Sequence, residues 1–174
     1  MPKSLPVAKD LVEVVVAPDA YHVSPEPMLL VAELHGALGL CLHDEGRGVG
    51  GLLHLKFMGE TGRPSDVTDN TLSSVLAVLD RFKRGVLGNA NSSKRDDIQA
   101  RILAHALPPT GAPEPTASLV DLIQADLADS KIYCGSQTIR RTEPLRVCFQ
   151  PFEGRVWVCG PSSLGASSTR RSAS

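Results

Sequence analysis

The most regular pattern of apolar and polar positions in the chain is an alternation of period two between Leu38 and His43. Leucines at every second position, with smaller or polar residues between them, are typical of a strand with one well buried face. A turn with the sequence Asp-Glu-Gly-Arg-Gly follows, and Val49–Phe57 is predicted to return as the second strand of a hairpin. No Gly-Lys-Ser or Gly-Lys-Thr follows this glycine-rich run, so turn geometry rather than phosphate binding explains Gly46, Gly48, Gly50 and Gly51.

The register of this hairpin predicts which side chains meet. If His43 pairs with Val49, the antiparallel arrangement puts His54 opposite Leu38, and a slip of one residue puts it opposite Ala37. We therefore expect Ala37 and His54 to be close neighbours.

Two stretches have apolar residues at helical spacing, one from about Asp69 to Arg84 and one after Ser118. Asp69 is the predicted N-cap of the first helix and Gly85 its C-terminal stop. Ser118 and Asp121 resemble a capping box at the start of the second helix. Both helices should pack on a sheet.

The remaining strands are predicted from short apolar runs: Asp10–Ala17, Ile98–Leu107, Lys131–Cys134, Leu145–Gln150 and Arg155–Cys159. The stretch Tyr21–Pro27 contains two prolines and no period, and is predicted to be a loop. Roughly seven or eight strands with two inserted helices indicate a single α+β domain, with mixed β-sheets flanked by two main helices. The domain should span residues 1–160, and the Ser- and Arg-rich residues 161–174 should form a disordered tail.

The composition excludes several functional classes. The chain has 174 residues, of which 42% are apolar and 21% charged, and its formal net charge is −1, so nothing indicates a nucleic-acid partner. No apolar run approaches the roughly eighteen residues of a membrane span, and the N-terminus lacks a signal-peptide pattern. We expect a cytoplasmic protein without membrane insertion.

The four cysteines are far apart in the sequence, and each lies within an apolar run. Their positions are Cys41, Cys134, Cys148 and Cys159. A chain of this size does not need disulfides, so buried thiols are expected, with a bridge among the last three as the alternative.

The segment around the hairpin resembles the family of CheD, the bacterial chemoreceptor glutamine deamidase. That family's pattern is Thr-x-x-x-Gly-Ser-Cys, an apolar strand ending in Asp, a glycine turn and Gly-x-x-His. Laid on this chain without gaps, Asp44 and His54 match the Asp and His, and Cys41 matches a second, non-catalytic cysteine. The nucleophilic Cys falls on Ala37 and the Thr falls on Val31.

The resemblance implies the family's α+β architecture and its reaction, hydrolysis of glutamine side-chain amides on methyl-accepting chemotaxis receptors. The reaction needs a thiolate nucleophile, a His that takes and returns protons, and donors for the oxyanion. The methyl group of Ala37 cannot attack, Val31 cannot accept a hydrogen bond, and His35 replaces a small glycine. His54 is therefore the retained catalytic residue of the family, and deamidase activity should be weak or lost.

Cys41 is the candidate for a substitute nucleophile. It lies four residues beyond Ala37 on the same strand face, about 13 Å away at ~3.3 Å per residue, which the expected register puts out of reach of His54. A small buried thiol is the alternative interpretation.

A metal site is the other chemistry that these side chains suggest. His35, Cys41 and His43 share a strand face near His54, and imidazole and thiolate suit zinc. However, roughly 26 Å of straight strand separates His35 from His43. We expect no metal and no cofactor, with His43 solvated at the turn.

The leading hypothesis is a CheD-type chemotaxis protein that keeps the fold and the partners of the family. Those partners are the cytoplasmic helices of chemotaxis receptors or a CheC-like phosphatase. The alternatives are a pure binding module with another role, a decayed paralogue without activity, and a different hydrolase that uses His54 with an unrecognised nucleophile.

Overall fold

The computed structural model describes residues 11–56, 69–88, 97–108 and 115–159. Its elements, in chain order, are β1 Glu13–Val15, β2 Ala20–Ser24, β3 Leu29–Leu34, β4 Leu38–Asp44, β5 Val49–Leu55, α1 Asp69–Leu87, β6 Ile98–Ala106, α2 Pro115–Asp129, β7 Cys134–Arg140, β8 Leu145–Gln150 and β9 Arg155–Cys159. The predicted α+β class with two main helices is confirmed. The predicted tail at 161–174 lies outside the described residues.

The strands form two sheets of mixed direction. The four-stranded sheet has the order β1-β3-β8-β9, and the five-stranded sheet has the order β2-β5-β4-β6-β7. Parallel pairs join β1 to β3 and β6 to β7, and the other neighbours are antiparallel. The predicted β4–β5 and β8–β9 hairpins are both present.

Strand β4 lies at the centre of the five-stranded sheet and is buried along its whole length. Its three leucines join a core with helix residues such as Phe82 and Ile123. On its other face, Cys41 and the preceding Ala37 join a second core with Val147 and Phe149 of the four-stranded sheet. The molecule therefore has three layers, and the period of two in β4 decides which residues face the space between the sheets.

Two consecutive glycines allow both neighbouring layers to approach β5. A Cβ atom at Gly50 would overlap the backbone oxygen of Pro151, which follows β8. A Cβ atom at Gly51 would lie 2.8 Å from the Phe82 ring of α1 and 2.9 Å from the His22 carbonyl oxygen. These residues lie inside the strand, so the prediction that they serve turn geometry is wrong, and close packing explains them. Gly48 does occupy the turn, with φ of 65°.

Strand β2 corrects the prediction of a loop at Tyr21–Pro27. It pairs with β5 at the edge of the five-stranded sheet, from Ala20 opposite His54 to Ser24 opposite Gly50. Its side chains are mostly half-buried, so no clear alternation marks the strand. The prolines come after it, where they remove no hydrogen bond of the ladder.

Three predicted boundaries also differ in the structure. Helix α1 continues past Gly85 and ends before Gly88, which has φ of 74° and donates its N–H to the Arg84 carbonyl at 2.9 Å. Helix α2 begins at Pro115, so Ser118 lies within it rather than at its cap. Strand β7 begins at Cys134, where the predicted strand ended. Neither of these helices is long and apolar enough to cross a membrane.

We predict that Gly50→Ala and Gly51→Ala each lower the free energy of unfolding by about 1–3 kcal/mol, because the added methyl groups force packed layers apart. Gly135→Ala in β7 is the matched control, since a Cβ atom there meets nothing closer than Tyr133 Cε2 at 4.0 Å. Urea unfolding of the three variants checks this. Equal stability of all three would contradict the packing described for β5.

Candidate functional site

The candidate site lies between the two sheets, where β5 pairs with β4. His54 is opposite Gly39, not opposite Leu38 or Ala37 as the sequence suggested. Ala37 is two residues from Gly39 on the same strand face, so it is a diagonal neighbour of His54, and such positions are roughly 7–8 Å apart. Ala37 and His54, the positions that the resemblance assigns to the nucleophile and the histidine, therefore border the same space, although the register is shifted.

The imidazole of His54 is buried and held by a backbone carbonyl. Its exposed fraction is 2%, and Nδ1 donates a hydrogen bond to the Val16 oxygen at 3.0 Å. Burial lowers the pKa of His54, and the bond to Val16 opposes this shift only in part. No described residue forms a hydrogen bond with Nε2. The ring is thus neutral, with its proton on Nδ1 and a free lone pair on Nε2.

The residue that matches the family's threonine lies on the far side of the four-stranded sheet. Val31 packs with Leu29 and Cys148 in a cluster separate from the core that contains Ala37. Its backbone oxygen accepts a hydrogen bond of 2.8 Å from the N–H of Val16, the residue whose carbonyl holds His54. The backbone of β3 therefore supports the imidazole indirectly, and no side chain at position 31 takes part.

Cys41 is the other diagonal neighbour of His54. It pairs with Leu52 and lies two residues beyond Gly39. The prediction that the register puts Cys41 out of reach of His54 is therefore wrong. However, its thiol forms no hydrogen bond with the imidazole Nε2. The side chain is buried, with an exposed fraction of 3%. Burial raises the pKa of Cys41 far above its ordinary value, so the group is a thiol rather than a thiolate.

A second buried histidine, His105, borders Ala37 from the opposite strand. Its backbone N–H donates to the Ala37 oxygen at 2.8 Å, and its Nδ1 accepts a bond of 2.9 Å from the N–H of Gly36. Burial lowers the pKa of His105, so the ring is neutral with its proton on Nε2. Sequence reasoning missed this residue, because only the pairing of β4 with β6 brings it to position 37. The alternation along β6, with Leu103 and His105 on one face, was the available signal.

The histidines considered for a metal site are not brought together. His35 is exposed beyond the bend at Gly36, which has φ of 61°, and its ring centroid lies 5.5 Å from that of His105. His43 is 5% exposed, and its Nε2 donates to the Phe152 oxygen at 3.2 Å, so the prediction of a solvated ring is wrong. The β8–β9 turn covers it. Within the described ranges, no group of three or more His, Cys, Asp or Glu side chains is arranged to hold a metal ion.

Asp44, the match to the family's aspartate, belongs to the turn rather than to the reactive space. Its carboxylate accepts a hydrogen bond from the Arg47 N–H at 3.2 Å, and its backbone oxygen accepts one from Gly48 at 2.8 Å. Asp44 therefore fixes the geometry of the hairpin whose register sets the position of His54.

Comparison with known proteins also finds a similarity to CheD. The chain is 21% identical over 150 residues to the "Probable chemoreceptor glutamine deamidase CheD" of Burkholderia orbicola strain MC0-3, and equally to that of strain AU 1054. The match covers 81% of this chain but 57% of those proteins, so the chain spans little more than half the length of the curated relatives. No family model matches the chain. These similarities support a distant CheD-like relationship.

Among solved structures, the crystal structure of the Bacillus licheniformis hypothetical protein YfiH is similar to this chain. The match has a TM-score of 0.42 and 15% identity, and it covers 67% of this chain and 49% of that protein.

We predict that the protein loses stability as the pH falls below about 6.5, because the unfolded chain then binds protons that buried His54 and His105 exclude. For each imidazole, the free energy of unfolding falls by up to about 1.4 kcal/mol per pH unit. This loss extends over the pH range between the ordinary pKa of the group and its lowered pKa in the folded protein. His54→Gln should reduce the difference in free energy of unfolding between about pH 7 and about pH 5. Urea unfolding at the two pH values measures it. His22→Gln, at a half-buried position on β2, is the control, and an unchanged pH dependence in His54→Gln would contradict the assignment.

Proposed function

We propose that the protein is a CheD-type chemotaxis protein that binds a partner of the chemoreceptor system and has little or no glutamine deamidase activity. The similarity over most of the chain supports the chemotaxis role. The single observation that carries the loss of activity is that Ala37, a diagonal neighbour of His54 across the β4–β5 pair, has no nucleophilic atom, while no described group bonds the His54 Nε2.

The chemistry of amide hydrolysis gives this observation its weight. A thiolate must form before it can attack the carboxamide carbon, and a neighbouring imidazole or other cation must lower the thiol pKa to make it. Among the described residues, the thiol near the site is that of Cys41, which has a raised pKa and forms no hydrogen bond with His54. Two neutral imidazoles around an alanine therefore offer a base but nothing for it to activate.

Receptor cytoplasmic helices are the partner that we propose first, because the similar Burkholderia orbicola proteins are named as probable chemoreceptor glutamine deamidases. A CheC-like phosphatase is the second. In both cases the protein acts by occupying a surface, so its effect depends on concentration and affinity rather than on turnover.

The test of activity incubates the purified protein with a receptor cytoplasmic fragment and follows ammonia release and the one-dalton mass gain of deamidation. The Burkholderia orbicola protein is the positive control. We expect turnover at least about a thousandfold slower than the control, as in sites that lack their nucleophile. Turnover that Cys41→Ser abolishes would overturn the proposal and make Cys41 a substitute nucleophile. Turnover that His54→Gln abolishes and Cys41→Ser leaves intact would overturn it in favour of another nucleophile.

The test of binding uses the same fragment, and separately a CheC-type phosphatase, in a pull-down with the wild-type protein. We expect one of them to be retained, and His54→Gln should bind equally well because the imidazole is buried. Retention of neither would identify a decayed paralogue. Labelling of wild type by an electrophilic amide probe, lost in His54→Gln, would point instead to a different hydrolase.

A further inference from the structure

A pocket of about 230 Å³ opens between the two sheets, towards the β4 end that is remote from Ala37. Strand β4 contributes the floor, the start of β6 forms one wall, and the β8–β9 hairpin forms the other. The side chains that define it are Cys41, His43, Gln99, Arg101, Phe149 and Val156. The site described above uses none of these except Cys41.

The wall formed by the β8–β9 hairpin is fixed to β4. Gly154, which also lines the pocket, has φ of 75°, and a Cβ atom there would overlap the His43 ring. The same ring donates its Nε2 hydrogen bond to the Phe152 oxygen at 3.2 Å. The turn is therefore seated against the imidazole, and the pocket is a preformed feature rather than a gap between loose loops.

The lining has one full charge, the guanidinium of Arg101, and no acidic side chain. The hydrogen bond that Arg101 makes to a side chain in the described part of the protein is a long one, 3.4 Å to Gln137 Oε1. No carboxylate among the described residues lies within ion-pair distance of it. An arginine has five N–H donors arranged to match a carboxylate, so most of this donor capacity remains for a bound anion.

The rest of the lining is apolar or neutral. Phe149 is fully buried and Val156 is half-buried beside it. Cys41 is an uncharged thiol because burial raises its pKa, although the nearby Arg101 charge acts in the opposite direction. Gln99 is exposed, lies two residues before Arg101 on the same face of β6, and adds one amide to the polar side of the pocket. A ligand that fits both sides has an anionic head and a short apolar body.

We propose that this pocket binds a small monocarboxylate, with the carboxylate on the Arg101 guanidinium and the Gln99 amide, and the apolar body against Phe149 and Val156. The volume is below the roughly 300–1,000 Å³ of pockets for drug-sized ligands, so the ligand is of the size of a branched six-carbon acid. This carboxylate site does not depend on the deamidase chemistry or on partner binding. The experiment below therefore tests the pocket separately from the proposed function.

The probe is 4-methylpentanoate, titrated into the full chain and followed by ¹H–¹⁵N NMR spectra. We expect saturable shifts of the Gly154 backbone amide and the Gln99 side-chain amide. The neutral 4-methylpentanamide has the same body without the charge, and should bind at least about tenfold more weakly, because hydrogen bonds to a charged group are roughly twice as strong.

Arg101→Gln should weaken binding of the acid to the level of the amide. The matched control is Arg155→Gln, because Arg155 is an exposed arginine on β9 whose guanidinium lies 5.9 Å from the Trp157 ring centroid and which does not line the pocket. This control should bind as wild type does. Cys41→Leu, which puts a larger side chain into the floor, should block both probes while leaving Arg101 in place.

The proposal is overturned if neither probe produces saturable shifts at these amides. It is also overturned if acid and amide bind equally, or if Arg101→Gln retains wild-type affinity for the acid. Loss of binding in Arg155→Gln to the same degree as in Arg101→Gln would show a general charge effect, and would overturn it as well.

Discussion

The pairing of β4 with β5 on one side and β6 on the other is the constraint on which the rest of the structure depends. Because β4 lies inside the sheet and is covered on both faces, each of its residues belongs either to the helix layer or to the space between the sheets. A slip of one residue would exchange the two sets and put leucines where the histidines now lie. The register at Gly39 therefore determines both the position of His54 and the composition of the space around it.

That space is unusual in holding two buried imidazoles of opposite tautomer. His54 donates through Nδ1, whereas His105 accepts there, and the two rings border Ala37 from different strands. A neutral buried histidine usually completes its hydrogen bonds, because an unpaired polar group in an apolar region costs about 1–3 kcal/mol. The His54 Nε2 has no hydrogen-bond partner among the described residues. The neutral His54 ring offers a base, and on the proposed alignment with the CheD family the methyl group of Ala37 stands where that family has its nucleophilic sulfur.

The local pattern was sufficient to predict both helices, the β8–β9 hairpin and the two strands of the central hairpin, although not its register, because these elements are decided by neighbours close in sequence. Contacts between distant segments explain the errors. Gly85 lies inside α1 rather than at its end. A Cβ atom at this position would lie 3.1 Å from Val23 of β2, so close packing of the helix on the strand explains the glycine. His43 is buried by a turn more than a hundred residues later in the chain, and β2 forms by pairing at a sheet edge. The role of His105 beside Ala37 likewise follows from the pairing of β4 with β6, which no pattern within either strand specifies.

The account depends on His54 being a neutral imidazole that does not form an ion pair with a thiolate. The most direct measurement is a long-range ¹H–¹⁵N NMR spectrum of the histidine rings at neutral pH, for wild type and Cys41→Ser. The account predicts a neutral His54 ring protonated on Nδ1, with shifts that the substitution leaves unchanged. A doubly protonated ring that becomes neutral in Cys41→Ser would reveal a thiolate–imidazolium pair, and would contradict the account.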